Sequence, residues 1–196
     1  MRFLEPVLTG ADTTGAPSRF ERTLLLIKPD AVERRLIGPI LGRIERAGLT
    51  ISGLTMQLAT EDVARKHYPA SERQLRGIGD KLLAATREME ISVADALGTD
   101  DAFELGMMIF EGNIRFLTAG PVVAVVVEGY NAVRKTRQLC GATLPCDAAP
   151  GSIRGDFGSA GVEQVWMGDM TVRNLVHSSD DQREAEREIA LWFPRG

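Results

Sequence analysis

The chain has few of the residues that mark metal-binding, secreted or membrane proteins. Its two cysteines, Cys140 and Cys146, are too few and wrongly spaced for a zinc ribbon or a disulfide framework. No run of about 18 apolar residues occurs, so a membrane-spanning helix is not expected. The first 20 residues lack the charged-then-apolar order of a secretory signal. These absences favour a reduced, cytoplasmic protein.

A surplus of positive charge is also missing. The formal net charge is -4, which argues against a broad nucleic-acid surface but not against nucleotides, because a few local cations suffice to bind a polyphosphate. The motif G-x-x-x-x-G-K-[ST] is absent, so a phosphate-binding P-loop in its usual form is excluded. The 196 residues, of which 44% are hydrophobic, suit one substantial globular domain.

The first half of the chain predicts alternating strands and helices. Residues 1–20 show no period and are interpreted as an N-terminal extension. The apolar run 24–27 predicts a strand buried on both faces, and Pro29 ends it because proline cannot donate to a sheet. A helix over about 38–47 that stops at Gly48, a strand over 50–58 and a helix capped by Thr60 follow.

The second half is less regular until the VVAVVV segment. Helices are predicted over about 81–89 and 102–110, a buried strand over 121–127 and a helix that runs from Asn131 to about Cys140. A long Gly- and Pro-rich loop follows, and 174–177 resembles a strand. Ser179 and Gln182 form a capping-box pattern for a final helix. This order predicts an α/β (α+β) sandwich in which helices cover one face of an antiparallel sheet.

His177 is a candidate nucleophile. A neutral imidazole is nucleophilic near pH 7, and Glu188, eleven residues on, is placed to orient the ring. From spacing alone, a purely structural histidine is the commoner outcome, and His67 is interpreted as structural. Phosphate would need cations, for which Lys28, Arg137 and Arg154 are candidates, although each alone is more often a solvated surface residue.

Four segments together resemble the nucleoside diphosphate kinase family, in family order. They are RTLLLIKPDAV (22–32), GPVVAVVVEGYNAV (120–133), GATLPCDAAPGSIRGDFG (141–158) and NLVHSSD (174–180) followed by EAEREIALWF (184–193). The resemblance implies a ferredoxin-like βαββαβ fold, a homo-oligomer (a dimer-based tetramer or hexamer), and nucleoside tri- and diphosphates as partners. It also implies Mg²⁺ as cofactor and ping-pong transfer of a γ-phosphoryl group through phospho-His177.

The resemblance also implies the roles of individual residues. His177 matches the phosphorylated nucleophile, Glu188 the carboxylate that binds its ring and Ser179 a hydroxyl beside it. Asp180 matches an acidic position near the magnesium-bound phosphates. The positions that match catalytic or nucleotide-binding side chains are Lys28, Tyr68, Arg137, Thr143, Arg154 and Asn174.

The chain departs from the family pattern at two insertions. A single domain over 21–196 is predicted, with insertions at about 70–108 and 159–172; Trp166 and Met167 of the second are expected to cover the site or a neighbouring subunit. The family's base-stacking Phe falls at Ile109, and Phe110 would stack if the register slips by one. Three functions therefore stay open: a general phosphotransferase, a dedicated kinase for an unusual nucleotide or pathway intermediate, and a catalytically decayed nucleotide-binding or scaffolding protein.

Overall fold

The computed structural model describes residues 20–68, 70–87, 91–165 and 169–194. The predicted extension lies outside these residues except for Phe20, and Trp166 and Met167 also lie outside them. Within the described ranges, every helix is too short or too polar to cross a membrane. The cytoplasmic location stays a prediction.

A four-stranded antiparallel sheet forms the centre of the protein. Its strands are β1 (Phe20–Ile27), β2 (Thr50–Leu58), β3 (Pro121–Tyr130) and β4 (Val176–Ser178), in the order β2-β3-β1-β4. This order confirms the predicted ferredoxin-like sandwich. The predicted strand at 24–27 is part of β1, which lies between β3 and β4 and is fully buried there.

Helices cover both faces of the sheet, not one. Alternate residues of a strand point to opposite faces, and two separate cores result. The helical elements of the described residues are α1 (Pro29–Glu33), α2 (Ile37–Arg46), α3 (Glu61–His67), α4 (Glu72–Arg87), α5 (Val93–Leu97), α6 (Ala102–Thr118), α7 (Ala132–Cys140), a 3₁₀ turn (Pro145–Asp147), α8 (Ile153–Phe157) and α9 (Gln182–Trp192). Leu25 and Ile27 join one core with α2 and α7, whereas Leu24 and Leu26 join the other with α3, α6 and α9.

Several helix boundaries differ from the prediction. Pro29 ends β1 as expected but also starts α1, where its missing N–H is not needed. The helix predicted from 81 begins at Glu72, and the one predicted to end at 110 runs to Thr118. The predicted Gly- and Pro-rich loop contains the 3₁₀ turn and α8.

The predicted helix caps have mixed outcomes. Thr60 caps α3 by accepting a hydrogen bond from the Val63 amide, as expected. The predicted capping box is wrong, because Asp181 accepts from the Glu184 amide and caps α9. Ser179 is buried two residues before Asp181, where it contacts the site described below.

Described residues of the two predicted insertions pack together beside the sheet. Leu82, Val93 and Leu105 share a small core with Val165 and Met170 of the second insertion. Helices α4 and α6 cross at close range through glycines: a Cβ on Gly79 would lie 1.9 Å from the Ala102 carbonyl oxygen, and one on Gly106 would lie 2.0 Å from that of Leu75. The absence of side chains at both positions therefore permits this crossing.

Candidate active site

His177 lies on β4, the short edge strand, opposite Leu26 of β1. Its Nε2 is 2.9 Å from Oε1 of Glu188 on α9. An ionised carboxylate only accepts hydrogen bonds, so this contact assigns the proton to Nε2 and leaves the lone pair on Nδ1. The side chain is 23% exposed, and the residue lines a cavity. The ring is therefore both oriented and accessible.

Glu188 is itself held in place by Ser179. The Ser179 hydroxyl donates to Glu188 Oε2 at 2.5 Å and accepts from the Leu24 amide at 3.3 Å. Burial raises the pKa of Glu188, although its contacts with His67 and Ser179 oppose that rise. These contacts connect the carboxylate to the central strand, so its position depends on the sheet and not on a loop.

The surroundings of His177 keep its ring neutral. Burial lowers the pKa of His177 to about 3, and the nearby positive charge of Lys28 is the next contribution. Near pH 7 the imidazole therefore keeps the free lone pair that a nucleophile needs.

His67 packs directly behind His177, and its structural role stays a prediction. Its ring centroid lies 4.4 Å from that of His177, edge to face, and its Nδ1 accepts from the Trp192 indole at 3.3 Å. Burial, followed by His177, lowers the pKa of His67 well below its usual value. The buried ring therefore supports the position of His177 without lining the cavity.

Lys28 ends β1 and points to the same cavity. Its ammonium group donates to Asn174 Oδ1 at 2.8 Å, and the Asn174 amide donates to the Thr143 carbonyl at 2.9 Å. Burial, then the charge of Arg154, lowers the pKa of Lys28 to about 8. Lys28 and Asn174 are thus brought together as predicted, with the backbone of Thr143 beside them.

Arg154 is held mainly by main-chain carbonyl groups. Its guanidinium donates to the carbonyl oxygens of Asn174, Gly141, Ala142 and Val176 at 2.7 to 3.2 Å. A guanidinium has five N–H donors, so one is left for a ligand. Burial lowers the pKa of Arg154. The side chain therefore ties together the loops that surround the cavity as well as presenting charge to it.

Arg137 and Asp180 form an ion pair at the mouth of the cavity. Their side chains are 46% and 78% exposed, so the pair can separate at little cost. Tyr68 lies deeper, and its buried hydroxyl has no hydrogen-bond partner among the described residues. Burial raises the pKa of Tyr68, which stays protonated and able to donate.

A cavity of about 630 Å³ connects these groups. That volume is within the range of small-molecule sites. Most of the predicted site residues line it, whereas Ser179 and Glu188 stand behind His177. The lining residues from the prediction are Lys28, Tyr68, Arg137, Thr143, Arg154, Asn174, His177 and Asp180.

Phe110, predicted to stack on a base, is not part of the cavity wall. Its ring is 6% exposed in the core, and the Arg65 guanidinium carbon lies 5.8 Å from its centroid. Ile109 lines the cavity instead. One residue along a helix rotates the side chain by about 100°, so α6 cannot present both residues to one side.

Apolar residues of the two predicted insertions line another part of the cavity. They are Ile78, Leu82 and Ala85 of α4 with Val162 and Val165 of the second predicted insertion, and Lys81 of α4 lies among them. The cavity thus has a cationic end around His177 and an apolar end built largely by inserted residues. This division of charge suits a ligand with a phosphate chain and an aromatic base.

Comparisons with known proteins agree with this geometry. The family profile described as "Nucleoside diphosphate kinase" matches residues 21–77 and 81–196. The chain belongs to the nucleoside diphosphate kinase family. The curated nucleoside diphosphate kinase of Pyrobaculum aerophilum is 44% identical over 88% of this chain and 94% of its own. That of Rhodococcus opacus is 43% identical over 89% and 96%.

Solved nucleoside diphosphate kinases have the same fold. The crystal structure of an NDP kinase from Pyrobaculum aerophilum has a TM-score of 0.86 at 42% identity, over 90% of this chain and 97% of its own. A transition-state mimic of the Borrelia burgdorferi nucleoside-diphosphate kinase, with bound vanadate and ADP, has a TM-score of 0.69 at 31% identity, over 90% and 89%. Family membership therefore agrees with the position of His177 in a cationic cavity.

Proposed function

We propose that this protein transfers the γ-phosphoryl group of a nucleoside triphosphate to a nucleoside diphosphate through phospho-His177. The observation that carries the proposal is the 2.9 Å contact of His177 Nε2 with Glu188, which frees Nδ1 within a cavity lined by four cationic side chains, Lys28, Lys81, Arg137 and Arg154. The Borrelia burgdorferi relative, whose structure contains vanadate and ADP, supports the same chemistry.

The proposed reaction has two matching halves. Nδ1 of His177 attacks the γ-phosphorus, a nitrogen–phosphorus bond forms, and the bond from that phosphorus to the bridging oxygen breaks as the diphosphate leaves. Glu188 stabilises the positive charge that develops on the ring. A second diphosphate then attacks the phosphohistidine through its terminal oxygen and restores the neutral ring.

Each neighbouring side chain has a proposed part in this reaction. Lys28 and the remaining N–H of Arg154 stabilise the charge on the transferred group, and Tyr68 offers its hydroxyl. Arg137 binds the outer phosphates after leaving Asp180. Thr143 and Asn174 hold the phosphates and the sugar hydroxyl, a role that requires Asn174 to share its contact with Lys28.

Mg²⁺ is the proposed cofactor, and the mouth of the cavity fits it in part. Mg²⁺ prefers oxygen ligands and is often held by substrate phosphates with one or two carboxylates. Asp180 supplies one exposed carboxylate at the cationic end. His67, His177 and Glu188 also lie close enough to hold a metal ion, but two nitrogen ligands suit Mg²⁺ poorly. When bound, the ion neutralises phosphate charge.

A homo-oligomer is proposed from the free edge of the sheet. Leu54, Met56 and Leu58 alternate along β2 and are 51%, 54% and 69% exposed. An apolar edge strand favours pairing with another strand, and a second copy of β2 offers a self-complementary partner.

Residues 21–196 are proposed to form one domain with the two predicted insertions.

Labelling with γ-³²P-ATP and Mg²⁺ tests the proposal. We expect acid-labile, alkali-stable label on the protein, which leaves when GDP, UDP or CDP is added. His177→Ala should remain unlabelled. Its circular dichroism spectrum should match that of the wild-type protein, which shows that the variant is folded. If label forms but is not transferred to the common diphosphates, the result would support a dedicated kinase. If the folded wild-type protein takes no label, the result would contradict the proposal.

A further inference from the structure

The apolar end of the cavity contains a built hydrogen-bonding pair. Asn113 of α6 lies one helical turn after Ile109, and Thr171 directly precedes Val172; all four residues line the cavity. The Thr171 hydroxyl donates to Asn113 Oδ1 at 2.6 Å. Thr171 is 2% exposed, so its hydroxyl is fixed by this contact and not by water. Polar side chains therefore stand within a largely apolar part of the wall, to which Lys81 of α4 also contributes.

The backbone is shaped to bring this pair together. A Cβ on Gly112 would lie 2.3 Å from the Met170 carbonyl oxygen, so the second insertion approaches α6 where α6 has no side chain. Met170 has a φ of 49°, a left-handed conformation that a residue with a side chain rarely adopts. Two unusual backbone features thus flank the one hydrogen bond that joins the insertion to Asn113.

The hydrogen bond determines which part of the Asn113 amide faces a ligand. Oδ1 accepts from Thr171, and this is the one side-chain hydrogen bond that Asn113 makes with the described residues, so its amide nitrogen is left for a ligand. An amide nitrogen offers two donors. The cavity therefore presents N–H groups, at its apolar end, to whatever stacks between Ile109 and the opposite wall.

We propose that Asn113, positioned by Thr171, selects nucleotides whose base carries a carbonyl group in place of an amino group. This inference rests on the proposed function, because it requires the base to lie at the apolar end when the phosphates are at His177. An exposed amide donor gains a partner from a 6-oxo purine or a 4-oxo pyrimidine. An exocyclic amino group at the same place would set its own N–H donors against those of Asn113, so no hydrogen bond could form.

Two pairs of diphosphates isolate this contact. IDP and ADP differ at purine position 6 and in the N1 proton that accompanies the 6-oxo group, and UDP and CDP differ in the same way at pyrimidine positions 4 and N3. With phosphorylated protein as donor, we expect kcat/KM to favour IDP over ADP and UDP over CDP by about tenfold. Asn113→Leu, of similar size, should reduce both ratios to near one, and Asn113→Asp, which accepts, should reverse them.

Thr171 is tested as a positioning residue. Thr171→Val keeps the shape and removes the hydroxyl, so the ratios should fall by about threefold, while Thr171→Ser should restore them. Arg115→Leu, on an exposed position of the same helix, should leave both ratios unchanged.

The outcomes separate this inference from the proposed function. Failure of the wild-type protein to take label from ATP would contradict the proposed function itself. Two results would overturn the role of Asn113 and leave phosphoryl transfer intact. In the first, the protein takes label normally but the kcat/KM ratios of IDP to ADP and of UDP to CDP are near one. In the second, those ratios are unchanged in Asn113→Leu.

Discussion

The two ends of the cavity are built in different ways. At the cationic end, each important side chain is fixed by elements of the sheet: His177 is on β4, Lys28 ends β1, and Glu188 is tied to β1 through Ser179. At the apolar end, the described wall residues come from α4, from α6 and from the loop before β4. The proposed chemistry thus depends on the sheet, whereas the proposed base recognition depends on helices and loops that pack beside it.

The largest effect should follow from Glu188→Gln at the cationic end. A neutral amide cannot stabilise the positive ring that forms during attack, so phosphohistidine formation should slow by roughly 100-fold or more. Rapid-quench measurement of label on His177 checks this. Glu184→Gln, one turn earlier on α9 and paired with Arg187, should retain the wild-type rate. A Glu188→Gln rate within threefold of wild type would show that the carboxylate is dispensable.

Gly106→Ala should damage the apolar end selectively. The added methyl group meets the Leu75 backbone, and overpacking of this kind costs about 1–3 kcal/mol of unfolding free energy. Displacement of α4 should also weaken ADP binding, as measured by calorimetry, while saturating ATP still labels His177. Gly77→Ala is the matched control on α4, because nothing lies within 4 Å of its Cβ. Equal urea midpoints for the two variants would refute the close crossing.

The value of kcat/KM should fall at alkaline pH, and titration of His177 should cause no loss of activity near pH 6.5. The pKa of Lys28 is about 8 in the free protein, so kcat/KM should fall by about tenfold per pH unit above that value. Lys28→Arg should shift this limit upward even if its activity is lower. NMR of the His177 ring should find it neutral at pH 5, because its pKa is about 3. A ring that titrates near 6.5 would contradict the burial argument.

The smallest effect concerns His67 and stability in acid. Its folded pKa lies below the unfolded value, so the unfolded chain binds the proton more readily, and stability present above about pH 6.5 is lost as the pH falls. The slope is at most about 1.4 kcal/mol per pH unit. His67→Asn keeps an acceptor for Trp192 but does not titrate, so its unfolding free energy should fall less between pH 6.5 and 5. If the unfolding free energies of the wild type and of His67→Asn fell equally over this pH range, protonation of His67 would not be the cause of the loss.

The sequence predicted the cationic end better than the apolar end. The apolar runs of β1 and β3, the Thr60 cap and the position of His177 all leave local patterns. By contrast, α4 buries a stripe of Leu75, Gly79, Leu82 and Thr86, in which glycine and threonine weaken the hydrophobic period.

Contacts between distant segments left no local pattern at all. Asn113 and Thr171 are 58 residues apart, and neither position predicts the other. The four carbonyl partners of Arg154 come from two separate segments of the chain, so its role in joining loops was equally invisible in the sequence. The rotation of α6 about its axis could not be predicted either. Ile109 and Phe110 are neighbours in sequence, yet only the packing of the folded helix decides which of them faces the cavity.

The strand order has a consequence for how association and turnover coexist. β2 and β4 form opposite margins of the sheet, with β3 and β1 between them. A companion subunit seated along Leu54, Met56 and Leu58 would therefore occupy the margin farthest from the histidine. The proposed self-association along β2 would therefore leave the entrance of the cavity accessible to nucleotides, so an oligomer could form without blocking turnover.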